Sequence, residues 1–150
     1  MNLIVDVGNT RIKSAVFEKD RLVEVVASDK SDFLQKVNYL FEKYKIQEAI
    51  ISSVSNFSAN SLNKLKSKVS VLELNSKTKV PFTNLYETPT TLGVDRIAIV
   101  AGAAQKFKNK NVLIIDAGTC ITYDFLNNES NYFGGAISPG IQMRYKALNK

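Results

Sequence analysis

Val5-Asp6-Val7-Gly8-Asn9-Thr10 near the start of the chain and Ile115-Asp116-Ala117-Gly118-Thr119 in its last third carry one pattern. Each has a β-rich run, an aspartate, a small or apolar residue, a glycine and a threonine, and each leads into another strand. Such an internal repeat, read before anything else, sets the fold expectation. An aspartate at the end of an apolar strand is costly if buried unpaired, and tolerable beside a cation or its water shell. A glycine lets the backbone turn tightly beside a bulky anion, and successive N–H groups in such a turn form an anion-binding concavity. Asn9 and the threonines add neutral donors, and Lys13 stands close enough along the second strand to supply charge to the same phosphate. A hairpin turn alone would account for either copy, because Asp, Asn and Gly are turn formers. Two copies favour the functional reading, since a pair of such turns can hold one polyphosphate.

The flanking sequence reads as α/β. Strands are expected at Asn2–Val7, Arg11–Glu18 and Leu22–Ala27, joined as an antiparallel meander through a turn at Lys19-Asp20. Phe33, Leu34, Val37, Leu40, Phe41 and Tyr44 line one face of a helix capped by Ser31 or Asp32. A strand at Glu48–Val54, a short helix at Ala59–Lys68 and a strand at Val69–Leu74 follow. Asn75–Thr91 is irregular, and loops of that length are usually functional or disordered. A helix at Leu92–Phe107 is rich in small residues. Strands at Asn111–Asp116, Thr119–Leu126 and Tyr132–Ile137 precede a Pro-Gly turn and a last helix at Pro139–Asn149. The expected domains are 1–108 and the start of a second, incomplete repeat at 109–150.

Composition narrows the chemistry. Hydrophobic residues at 45% and charged residues at 23% match a folded globular domain and exclude a disordered tail. No apolar run reaches membrane-spanning length, and the early aspartate and missing basic leader argue against a signal peptide. The chain has one cysteine and no histidine, which excludes an internal disulfide, a Ser-His-Asp triad and His-ligated metals. Any general base is therefore Asp, Glu, Lys, Tyr or Cys. The net charge of +6 suits a polyanionic partner. The lysines are scattered along solvated helix faces, however, and no basic stripe interleaved with aromatics marks a nucleic-acid surface. No P-loop, dinucleotide-binding glycine fingerprint or kinase glycine loop is present.

Leu92-Gly93-Val94-Asp95-Arg96 opens the alanine-rich helix. An acid in a first turn favours the helix dipole, which is a purely structural role. The same pair also offers a carboxylate able to take a proton from an attacking hydroxyl and a cation able to orient an anionic substrate.

Asp6-Val7-Gly8-Asn9-Thr10-Arg11-Ile12-Lys13, Gly93-Val94-Asp95-Arg96, Asp116-Ala117-Gly118-Thr119-Cys120-Ile121-Thr122 and Gly134-Gly135-Ala136-Ile137-Ser138-Pro139-Gly140 together resemble the type III pantothenate kinases. The motifs stand in that family's order along nearly the whole chain. Some members were first labelled Bvg accessory factor, a transcriptional activator. The first motif is shared with the wider sugar-kinase and actin superfamily, whereas Gly-Val-Asp-Arg joined to Asp-Ala-Gly-Thr is highly specific.

The resemblance implies a ribonuclease-H-like/actin-like ATPase fold of two repeated lobes with mixed sheets. It implies transfer of the ATP γ-phosphate to the primary hydroxyl of pantothenate, the first step of coenzyme A synthesis. Asp6, Val7, Gly8, Asn9, Thr10, Arg11, Ile12 and Lys13 are then the first phosphate loop, with Asp6 near Mg²⁺. Asp95 is the general base. Gly93, Val94, Asp95 and Arg96, with Tyr86, contact pantothenate, although Tyr86 also reads as a packed loop aromatic. Asp116 resembles a ligand of K⁺ or NH₄⁺, Thr119 an ATP contact and Thr122 a further phosphate contact. A cytoplasmic homodimer is implied as well. Competing readings are another phosphotransferase of the superfamily and a non-catalytic transcriptional accessory protein. Family members continue beyond 150 residues, so the second lobe is expected to be incomplete, leaving an apolar face and an open sheet edge.

Overall fold

A computed structural model describes residues 1–55 and 57–149. They form two compact units, Met1–Asn75 and Ser76–Lys150.

The first unit opens with β1 (Asn2–Val7), β2 (Ile12–Glu18) and β3 (Arg21–Ser28), followed by α1 (Phe33–Lys43), β4 (Glu48–Ser53), α2 (Ala59–Lys66) and β5 (Ser70–Glu73). The sheet order is β3-β2-β1-β4-β5. The meander pairs antiparallel, whereas β4 joins β1, and β5 joins β4, in parallel. A parallel neighbour needs a crossover, and α1 and α2 are those crossovers. Alternation decides which face they cover. Leu3, Val5 and Val7 of β1, Ile12 and Val16 of β2, and Ala49 and Ile51 of β4 are buried together with Phe33, Val37 and Leu40 of α1 and Leu65 of α2. Asp32 is the residue before α1, but its side chain makes no capping bond. The anchoring of α1 lies elsewhere: Glu24 of β3 accepts Tyr44 Oη at 2.6 Å and Lys43 Nζ at 3.0 Å. Those hydrogen bonds, Tyr44's first, hold the Glu24 carboxyl below its ordinary range.

The second unit contains β6 (Thr83–Asn84), a 3-10 turn at Pro89–Thr91, α3 (Val94–Lys106), β7 (Val112–Ala117), β8 (Cys120–Leu126), β9 (Asn131–Pro139) and α4 (Ile141–Leu148). Its sheet runs β6-β9-β8-β7, with β6 parallel to β9 and the other pairs antiparallel. The irregular stretch thus supplies a short strand that its sequence did not announce, because two residues are too few to display a period. Contacts divide the chain after Asn75 rather than after residue 108. The reason is that α3 packs on β7 and β8, burying Ile97, Val100, Ala103 and Ala104 over the sheet face that carries Ile114 and Leu126. Gly135 permits the tightest approach in that sheet: a Cβ there would lie 1.8 Å from the carbonyl oxygen of Tyr123.

The opposite face of this sheet is uncovered among the described residues. Leu113 is 63% exposed and Ile115 56%, and both lie on β7, an edge strand of the sheet. Edges in the first unit carry charges, Arg21 and Glu24 on β3 and Glu73 of β5 paired with Lys66. The β7 edge carries only Asp116, at its far end. An apolar, unguarded edge templates pairing with another chain. Ile115→Lys is accordingly expected to raise the monomer fraction at high protein concentration, which light scattering measures.

Candidate functional site

In the first unit the turn between β1 and β2 is closed by the Gly8 N–H donating to the Arg11 carbonyl at 3.1 Å. Asn9, Thr10, Arg11 and Lys13 are exposed around it. The last strand pair is Val7↔Ile12. Both side chains are fully buried, so only the backbone of these two residues is available to a ligand. Asp6 stands between Lys13 on β2 and Ser52 on β4, on the sheet face away from the helices. The Ser52 hydroxyl is buried without a hydrogen-bond partner among the described residues. Ser55 Oγ donates to the Gly8 carbonyl at 3.1 Å and so braces the turn from the β4 side.

The second unit repeats this corner. The Gly118 N–H donates to the Cys120 carbonyl at 2.8 Å, and the last strand pair is Ala117↔Ile121. Asp116 pairs in register with Thr122, as Asp6 does with Lys13. A neutral hydroxyl therefore occupies the place that holds a cation in the first copy. Asp116, Gly118 and Thr119 are exposed, and Thr122 is half-buried. The Gly140 N–H donates to the Thr119 carbonyl at 3.0 Å, which ties the start of α4 to the turn.

At the start of α3, Asp95 is half-buried, and its Oδ1 accepts the backbone N–H of Arg96 at 2.8 Å. The carboxylate thereby covers one of the donors that a helix N-terminus leaves unsatisfied. Gly93 makes room for it, since a Cβ there would sit 2.5 Å from Asp95 Oδ1. The neighbouring Arg96 points inward. Its Nε and Nη2 lie 2.9 and 2.6 Å from Oδ1 of Asp124 on β8, and Tyr132 Oη of β9 donates to the same oxygen at 2.7 Å. Tyr86 closes the cluster: its ring centroid is 5.6 Å from Arg96 Cζ, and it stacks on Tyr132 at 6.3 Å. Tyr86 also rests against the Cα of Gly134, whose φ of +96° suits glycine. Gly93, Val94, Asp95, Arg96 and Tyr86 thus belong to one neighbourhood of the second unit. The Arg96 fork, however, is engaged within the protein.

Burial works against the Arg96 charge, but the hydrogen bonds and negative charge of Asp124 outweigh it and hold the guanidinium above its ordinary pKa. Burial first, and the bond to Asp124 second, push the Tyr132 phenol up. An unfolded tyrosine ionises near pH ~10, so above that pH the folded state retains a proton that the unfolded state releases. Stability contributed by Tyr132 is therefore present below pH ~10 and lost as pH rises further. Urea midpoints measured from pH 9 to 11 are expected to fall, and Tyr132→Phe to flatten that fall.

Asp124 and Tyr132 escape a motif-based reading. The available signal was parity: Asp124 shares its strand face with Leu126, so alternation alone puts a carboxylate inside. Among the described residues, no three Cys, Asp or Glu cluster as a metal-ligand set, and no helix is long and apolar enough to cross a membrane.

Strand order β3-β2-β1-β4-β5, an antiparallel meander extended by two parallel strands, together with the repeated aspartate-glycine corner, defines a protein of the ribonuclease-H-like/actin-like ATPase fold. The comparisons narrow the class. The type III pantothenate kinase family model matches residues 2–150, and the chain belongs to that family. It is 50% identical over 151 residues to the type III pantothenate kinase of Christiangramia forsetii, covering 100% of this chain and 62% of that protein. The Bacteroides fragilis enzyme is 47% identical with the same coverage. Among solved structures, a conserved Baf-family protein of Campylobacter jejuni matches with a TM-score of 0.60 at 25% identity, over 97% of this chain and 58% of that one. The chain therefore spans about three fifths of the length of these relatives.

Proposed function

We propose that the chain transfers the γ-phosphate of ATP to the primary hydroxyl of pantothenate. The observation that carries this reading is the Asp95 carboxylate, held over the start of α3 in a chain of this family. Asp95 takes the hydroxyl proton as the hydroxyl oxygen bonds to phosphorus. The bond from phosphorus to the β–γ bridging oxygen breaks, and ADP leaves. Phosphoryl transfer asks chiefly for positioning and charge neutralisation, and a carboxylate base needs no histidine.

Gly8 through Lys13 supply N–H groups, hydroxyl and amide donors and exposed cations to the ATP phosphates. Mg²⁺ keeps most of its waters and takes one or two carboxylates beside phosphate oxygens. Asp6 at the strand end fits that requirement, and the ion, when bound, neutralises phosphate charge. Asp116, with a neutral threonine rather than a lysine in register, suits a monovalent cation, K⁺ or NH₄⁺. Thr119 and Thr122 are the hydroxyl contacts of that corner. Tyr86 and the segment from Gly93 to Arg96 border pantothenate. A cytoplasmic homodimer completes the reading and rests on the family relationship.

The test is ADP release by the purified chain with ATP, Mg²⁺ and K⁺. Release that requires pantothenate, and stops with an analogue lacking the primary hydroxyl, supports the reading. Equal release with an unrelated alcohol, or without any acceptor, overturns it.

A further inference from the structure

Asp124 is completely buried on β8, yet only one of its oxygens is used. Oδ1 takes both Arg96 bonds and the Tyr132 hydroxyl, while Oδ2 is buried without a partner among the described residues. A buried ion pair is weak evidence for stability, because a well-packed apolar pair in its place is often as stable or more so. What the pair does supply is direction. Leu92 and Ile97 bury apolar side chains on either side of the first turn of α3, but apolar burial is non-directional. The N-cap is Gly93, with no capping side chain. Among the described residues, the two N–H···O bonds from Arg96 to Asp124 thus form an oriented link between that turn and the sheet. Their other end is rigid: Asp124 lies on an interior strand, in register with Ile114 of β7 and Gly135 of β9.

We infer that Asp124 is a positioning residue: by clamping Arg96 it fixes the rotation of the first turn of α3 and hence the direction of the adjacent Asp95 carboxylate. The effect on turnover rests on the function proposed above, whereas the effect on the turn does not.

The test exploits the bond from the Arg96 amide to Asp95 Oδ1, which reports where the carboxylate points. Native-state hydrogen exchange is measured at the amides of Arg96 and Ile97 and, as an internal reference, at Val100 through Ala104. In Asp124→Leu, which removes the acceptor at similar volume, the first two are expected to exchange about tenfold faster, with the reference amides little changed. Tyr132→Phe leaves the ion pair in place and is expected to give a smaller change of the same kind. It decides the matter if Asp124→Leu does not fold. Equal acceleration along all of α3, or no acceleration at Arg96 and Ile97, overturns the inference, because either result marks a plain core contact.

In turnover, Asp124→Leu is expected to lower kcat by about 10²-fold, as a misplaced reacting group does, with KM for ATP unchanged. Unaltered kcat in the face of local loosening at Arg96 would leave the clamp standing and remove its catalytic consequence. Unaltered turnover in Asp95→Asn would instead remove the base assignment.

Discussion

Asp95→Asn is expected to cut pantothenate-dependent ADP release by about 10²- to 10⁴-fold, the usual loss when a general base is removed. The substitution is nearly isosteric. The amide oxygen of Asn can still accept the Arg96 N–H, which Asp95 Oδ1 accepts at 2.8 Å, so the first turn of α3 keeps its geometry. What disappears is the capacity to take a proton. ATP affinity is expected to stay within about twofold, since the phosphate contacts belong to other residues and distant sites are close to independent. Turnover and nucleotide titration on the same preparation check both parts. A parallel loss of ATP affinity would show that Asp95 binds nucleotide rather than accepting the hydroxyl proton.

The largest expected effect on folding comes from Gly135→Ala. An added Cβ would lie 1.8 Å from the Tyr123 carbonyl oxygen and 2.7 Å from its carbon. These are backbone atoms of β8, which no rotamer change can move aside. Gly135 is also the register partner of Asp124, so pushing β9 off β8 opens the sheet where the Arg96 clamp is seated. The expected cost is about 3 kcal/mol or more, at the upper end of overpacking effects. Urea unfolding followed by tyrosine fluorescence measures it. A free-energy change within about 0.5 kcal/mol of the unsubstituted chain would mean that the two strands separate there without strain.

Much of this site could be read from local pattern. The aspartate-glycine corners follow from turn chemistry flanked by apolar runs, and both form tight turns between paired strands. Asp95 draws attention as an acid in the first turn of a helix, but the base role proposed for it comes from the family resemblance. Asp124 is marked locally only by its parity with Leu126, which puts a carboxylate inside without naming its partner; Arg96 precedes it by 28 residues on another element. Tyr86 reads equally as a loop aromatic and as a ligand contact until Arg96 and Tyr132 are brought against it. Its inward packing is decided by neighbours distant in sequence.

Two aspartate-glycine corners 110 residues apart, the alternating strands beside them and the spaced apolar faces of the helices determined the α/β class and the repeat, because turn geometry and burial period are properties of neighbouring residues; the family entered through the resemblance of four motifs, Gly93-Val94-Asp95-Arg96 above all. Packing alone decided that α3 belongs with β7 and β8, that Thr83–Asn84 pairs with β9, and that the guanidinium beside Asp95 is engaged by a buried carboxylate. Each of these depends on groups that meet only after the chain has closed on itself, and one linear sequence carries no signal for which distant partners will meet.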